Sequence, residues 1–259
     1  RFEARQAEIK FAEKEAEVTG VKVTDHRKPK AVPVDVKLDL SPPKPVKVLH
    51  SGFSKSSKEE MGVVTEGGVG MGITVFPTPS KPGQPVGKKQ VGRAKAHVAK
   101  GNPLFIDTGA FGLSKKGGEV PFEGKNNAFN IIDSIVEDVA PENRSKVTIV
   151  MPDIVGDQQG TLELQSKHKE KIHEYIDAGY DVLIPTQQTT PDTKSKKKRG
   201  DDRTLDSVYE GLVAEFGEGN FRVGIPSNAA AVSVKDFEGF VGRKKPAKVH
   251  LLGASKNTK

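Results

Sequence analysis

The chain has 259 residues, carries 41 Lys and Arg against 34 Asp and Glu for a net charge of +7, and contains no cysteine. The missing thiol excludes disulfides, thiolate zinc sites and a cysteine nucleophile. Hydrophobic residues make up only 34%, and 27 glycines and 17 prolines imply many loops, so any sizeable core shares the chain with a large surface.

Residues 1–20 read as a charged helix with a thin apolar stripe of Phe2, Ile9, Phe11, Ala12 and Ala16. Residues 28–45, rich in Pro, Lys, Val and Asp, read as an extended arm. The expected organisation is therefore an N-terminal helix and arm over 1–45 and a barrel-type catalytic domain over 46–259. From Val46 onward short apolar runs alternate with helix-like segments. Strands are expected at 46–50, 72–76, 104–107, 147–151, 181–185, 221–225 and 249–252. Helices are expected near 126–138, 161–177, 203–216 and 233–241, with Thr204 opening one and Ser233 capping another.

Alternation of this kind argues for an α/β fold with a parallel sheet, and the strand count favours a TIM-like (β/α)8 barrel whose eighth strand lies among the poorly patterned N-terminal residues or is missing at the C-terminus. The run Gly67-Gly68-Val69-Gly70-Met71-Gly72 lacks the Lys-Ser/Thr of a phosphate loop and reads as a flexible loop. His168 and His173 have the wrong spacing for a metal pair on one helix face, and no metal site is expected. No run of roughly 18 apolar residues and no signal-peptide segment is present, so the expectation is a soluble, cytoplasmic protein without a membrane partner. The first residue is Arg1, not methionine, which reads as a fragment.

The chemistry sits at the expected strand ends, which in a barrel converge on one mouth. Asp107, Thr108 and Gly109 follow one strand; small residues there let a backbone approach a ligand, although a capping Asp in an ordinary turn fits equally. Asp153 ends the next strand, with Asp157 four residues on. Two carboxylates beside one ligand have their pKa values pushed apart and can do acid/base work or accept N–H bonds from a base edge. Asp157 fits a turn before a helix as well. Gln187, at the end of the following strand, can donate and accept, which suits a purine edge. Gly224 and Ser227 offer backbone amides and a hydroxyl. His250 falls within the last strand and reads as a core residue. Lys196, Lys197, Lys198 and Arg199 form a basic block suited to a nucleic-acid backbone, or to plain solvation.

Taken in order, Phe-Ile-Asp-Thr-Gly-Ala-Phe (105–111), Pro-Asp-Ile-Val-Gly-Asp (152–157), Ile-Pro-Thr-Gln (184–187), Val-Gly-Ile-Pro (223–226) and His-Leu-Leu-Gly (250–253) resemble the queuine tRNA-ribosyltransferase superfamily. The chain looks closest to its DNA-acting paralogues, the 7-deazaguanine DNA transglycosylases of phage and bacterial modification systems. The resemblance spans roughly residues 46–255 and implies a TIM barrel that swaps guanine in a nucleic acid for a preQ0-type 7-deazaguanine, without a cofactor. An aspartate attacks C1′ of a flipped nucleotide, guanine leaves, and the deazapurine enters the same pocket. By resemblance Asp107 is the general acid/base, while Asp153, Gln187 and the backbone near Gly224 grip the base.

Two departures stand out. The zinc site of the tRNA enzymes, three cysteines and a histidine, is excluded here. The family nucleophile follows the His-Leu-Leu-Gly strand, where this chain has only Ala254 to Lys259 and no acid. The nucleophile then lies beyond Lys259, or Asp107 serves, or catalysis is lost; the first is preferred. The expected partners are DNA, or RNA as the variant, and the free base, with a homo-oligomer left open. In a phage-encoded protein the compartment is the host cytoplasm. Two alternatives stand beside this: a non-catalytic nucleic-acid-binding barrel, and an unrelated barrel enzyme acting on a phosphorylated metabolite.

Overall fold

The computed structural model describes residues 49–50, 57–77, 84–115, 117–188, 204–227 and 232–252. The helix expected at 1–20, the arm at 28–45 and the basic block Lys196–Arg199 lie outside these residues. The chain divides into two units, Arg1–Pro45 and Val46–Lys259, and all described residues belong to the second.

Seven strands form one sheet: β1 (Leu49–His50), β2 (Gly70–Thr74), β3 (Leu104–Asp107), β4 (Val147–Val150), β5 (Asp181–Pro185), β6 (Phe221–Pro226) and β7 (Val249–Leu252). Their order in the sheet is their order in the chain, and every neighbouring pair is parallel. Parallel neighbours need a crossover, and the helices supply it. They are α1 (Lys58–Glu66), α2 (Lys88–Ala99), α3 (Ala110–Ser114), α4 (Ala128–Val136), α5 (Gln158–Lys167), α6 (Lys169–Asp177), α7 (Leu205–Phe216) and α8 (Val234–Lys244), with a 3₁₀ turn at Pro141–Lys146. None of these helices is long and apolar enough to cross a membrane.

The two faces of the sheet differ. Met71, Ile73, Leu104, Ile106, Val147, Ile149, Val182 and Ile184 are fully buried in one core with helix residues such as Ile132, Ile135, Ile172 and Phe240. Each such aliphatic side chain contributes roughly 1.5–3 kcal/mol by leaving water. The alternate positions point the other way. Phe105, Thr148, Arg222 and His250 on that second face are half-buried, and Val150 and Leu183 are buried but stand apart from the helix-side core.

This second face is concave. The rings of Phe105 on β3 and His250 on β7 stack with centroids 5.3 Å apart. Strands separated by four spacings lie ~19 Å apart in a flat sheet, so the sheet must curl for these rings to meet. Asp181 of β5 also ties the concave face together. It accepts from Thr148 of β4 at 2.7 Å and from Arg222 of β6 at 2.9 and 3.2 Å.

The expected α/β class is therefore present as a curled, parallel half-barrel. An eighth strand joining β7 to β1 does not occur among the described residues. The expected flexible loop at 67–72 needs correction. Gly67 ends α1, Gly68 turns with φ 65°, and β2 begins at Gly70. The helix expected over 161–177 is also two helices, broken at His168, whose ring packs against Phe122 and Phe129. Helices α1 and α2 escaped the sequence reading because they carry few apolar residues; α2 buries only Ala94, His97 and Val98.

Candidate functional site

Three side chains expected to share a pocket come together at the C-terminal ends of β3, β4 and β5. Asp107 is the last residue of β3, and Thr108 and Gly109 lead from it into α3. The turn is tight. Gly109 has φ 97° and its N–H donates to Asp107 Oδ1 at 3.1 Å. A Cβ on Gly109 would collide with the carbonyl of Phe76, so only glycine lets the chain pass there. Thr108 is buried, and its hydroxyl has no hydrogen-bond partner among the described residues.

Asp153 follows β4. The last rung between β4 and β5 is Met151 N–H to Leu183 carbonyl, 2.8 Å. Beyond it each strand meets a proline, Pro152 and Pro185, and proline has no N–H to continue a ladder. The strands part, and Asp153 and Gln187 occupy the gap. Gln187 Nε2 donates to Asp153 Oδ2 at 2.8 Å, and Gly156 N–H donates to Gln187 Oε1 at 3.2 Å. The amide orientation of Gln187 follows, since its oxygen must face the backbone N–H and its nitrogen the carboxylate.

Asp107 and Asp153 are neighbours in electrostatic terms. Burial is the main cause that pushes Asp153 up to about 7, and the Asp107 carboxylate adds to it, while the Gln187 hydrogen bond opposes. Asp107 is also raised by burial, against hydrogen bonds from the Gly109 and Thr108 amides. Two carboxylates that cannot both ionise freely hold a proton near neutral pH. A cleft of about 280 Å³ opens beside Asp153, lined among others by Val120, Phe122, Ile154, Leu164 and His168. The Lys167–Glu123 ion pair links α5 to the loop on its far side. On the first turn of α3, Phe111 is 58% exposed, with Lys115 Nζ 4.2 Å above its ring.

The other expected site residues have structural partners. Asp157 caps α5, its Oδ1 accepting from Gly160 N–H at 2.9 Å, the turn role open to it from the sequence. Gly224 lies on the concave face, and its carbonyl accepts from both Thr186 N–H, 2.7 Å, and Thr186 Oγ1, 3.0 Å. Ser227 donates its hydroxyl to the Leu252 carbonyl at 2.8 Å, fastening β6 to β7. His250 is half-buried and stacked on Phe105.

Sequence reasoning missed Thr161 and Gln165. Both are buried polar residues on α5 directed at the Asp153 segment. One signal was present: the fully buried residues of α5 are Gln158, Thr161 and Gln165, a polar stripe beside the partly buried Leu162 and Leu164.

Comparison with known proteins leaves the geometry to stand alone. No family model matches the chain, and neither a curated protein nor a solved structure matches it.

Proposed function

We propose that this chain is a base-exchange glycosyltransferase on a partial TIM-type barrel, replacing guanine in DNA with a 7-deazaguanine. The observation that carries the reading is the convergence of Asp107, Asp153 and Gln187 at neighbouring strand ends, where burial first and the Asp107 carboxylate second raise the pKa of Asp153. An ionised carboxylate accepts the two N–H groups on the edge of a guanine-type base, and an amide beside it completes the polar rim. With Asp153 ionised against the base edge, the proton that the free pair keeps on Asp153 resides on Asp107, which can hand it to the purine nitrogen as a carboxylate nucleophile bonds to C1′ and the C1′–N bond breaks. When the deazapurine nitrogen displaces that carboxylate, the C1′–O bond breaks, the new C1′–N bond forms, and the same group takes the proton back from the deazapurine. Asp107, rigidly held by the Gly109 turn, is assigned this acid/base role.

The test is incorporation of a radiolabelled 7-deazaguanine base into duplex DNA, with tRNA in parallel. Wild-type protein is expected to label DNA, and Asp107→Asn to label it at least roughly 100-fold more slowly. Undiminished labelling by a folded Asp107→Asn protein would remove Asp107 from the chemistry. Labelling confined to tRNA would move the substrate to RNA.

A further inference from the structure

We infer that Thr161 and Gln165 of α5 are positioning residues that hold Asp153 from behind, one gripping the residue after it and the other the residue before it. The inference rests on the function proposed above for Asp153. The two side chains lie one helical turn apart and therefore on one face of α5. Both are almost fully buried, at 1% and 2% exposure. Thr161 Oγ1 accepts from Ile154 N–H at 2.9 Å and lies 3.1 Å from the Ile154 carbonyl, to which its hydroxyl donates. Gln165 Nε2 donates to the carbonyl of Pro152 at 3.0 Å and to that of Pro185 at 2.8 Å.

Gln165 stands where the ladder fails. Pro152 and Pro185 offer carbonyls but no N–H, so β4 and β5 have no hydrogen bonds of their own to hold them in register beyond Met151. The Gln165 amide supplies two N–H groups across that gap and so sets the separation of the two strand ends. Asp153 follows Pro152 directly and Gln187 lies two residues past Pro185. Their 2.8 Å hydrogen bond is therefore built on the span that Gln165 bridges. Both neighbours of the amide are acceptors, so its nitrogen is the atom that faces them, and Oε1 is left buried without a partner among the described residues. What Gln165 contributes here is its two donors.

The experiment is titration of the Asp153 carboxyl carbon by NMR, alongside the base-exchange assay. In Gln165→Met, similar in length but unable to donate, the Asp153–Gln187 bond is expected to loosen. Because that bond holds the Asp153 pKa down, its midpoint is expected to rise by about half a unit or more, as in Gln187→Leu. Thr161→Val is expected to move it too, and Thr161→Ser, which keeps the hydroxyl, to leave it in place. Base exchange is expected to fall roughly tenfold in kcat with KM changed less. An unchanged Asp153 midpoint in folded Gln165→Met overturns the inference. Should that variant fail to fold, Gln165→Asn, whose amide is too short to span both carbonyls, is read by the same criterion. The titration is independent of turnover. A wild-type chain that exchanges no base, but whose Asp153 responds to Gln165→Met, defeats the functional proposal and leaves the positioning role standing.

Discussion

Single side chains in this protein answer to what surrounds them more than to their type. Asp153 is the clearest case. Its carboxyl has a folded pKa of about 7 against an ordinary 3.8, from burial first and the neighbouring Asp107 second. Around it stand Asp107 and Gln187, with Glu119, Glu123, Lys167 and His168 lining the same cleft. The sign is fixed by the direction of the shift. Between pH 4 and 7 the unfolded chain has lost this proton and the native one keeps it, so stability falls as pH rises through that window. Asp153→Asn removes the titration and still accepts the Gln187 bond. Its melting temperature is expected to exceed that of wild type at pH 8 by a few degrees, and to match it near pH 4. Equal differences at both pH values would contradict the assignment. His97 shows the same dependence on surroundings without any link to the site. Its Nε2 lies 3.0 Å from the Pro103 carbonyl, which only a protonated nitrogen can satisfy. Its Nδ1 then accepts from Thr65 Oγ1 at 3.1 Å, and burial lowers its pKa.

At the level of elements, the helices divide by how much their sequence declares. Helix α4 has a continuous apolar side, Phe129, Ile132, Ile135 and Val136, and an Asn127 cap, so its existence follows from periodicity. Helices α7 and α8 start at the caps that the sequence indicated. Ser207 N–H donates to Thr204 Oγ1 at 3.2 Å, and Asp236 N–H to Ser233 Oγ at 3.1 Å. Thr204→Ala leaves the α7 amides without that acceptor and is expected to destabilise the protein by about 1 kcal/mol in urea unfolding. A change below about 0.3 kcal/mol would mean that α7 is held by its packing alone. Helix α5 behaves oppositely. Its fully buried residues are polar and its leucines, Leu162 and Leu164, only partly buried, so periodicity read across 161–177 merged it with α6. The break falls at His168, where the fully buried residues change from Gln158, Thr161 and Gln165 to Ile172 and Tyr175.

Across the whole described sheet, curvature places the chemistry. Gly224 shows how closely the concave face is packed. A Cβ there would stand 2.6 Å from Leu183 Cδ2, 3.1 Å from Leu252 Cδ1 and 3.3 Å from Pro185 Cα. Gly224→Ala is therefore expected to lower stability by about 1–3 kcal/mol by thermal unfolding, because β5, β6 and β7 must shift together. No loss would show that the concave face has slack. The strands themselves were readable in residue order, since a buried parallel strand is a short run of Val, Ile and Leu that ends at Pro, Gly or Asp. All seven occur where such runs stand, within a few residues. The candidates Asp107, Asp153 and Gln187 were readable for the same reason, because a polar residue directly after such a run must lie at a strand end. The local cap that Asp157 makes on Gly160 was open to a reading of residue order, but the tie of Ser227 to the neighbouring strand was not, since that partnership depends on where the chain returns. Nor could residue order reveal that Thr161 and Gln165 brace Asp153. Local apolar pattern is encoded within a few residues and survives without the fold. The pairing of Asp153 with Gln187, 34 residues apart, and the burial that raises the Asp153 pKa exist only once the parallel strands lie side by side.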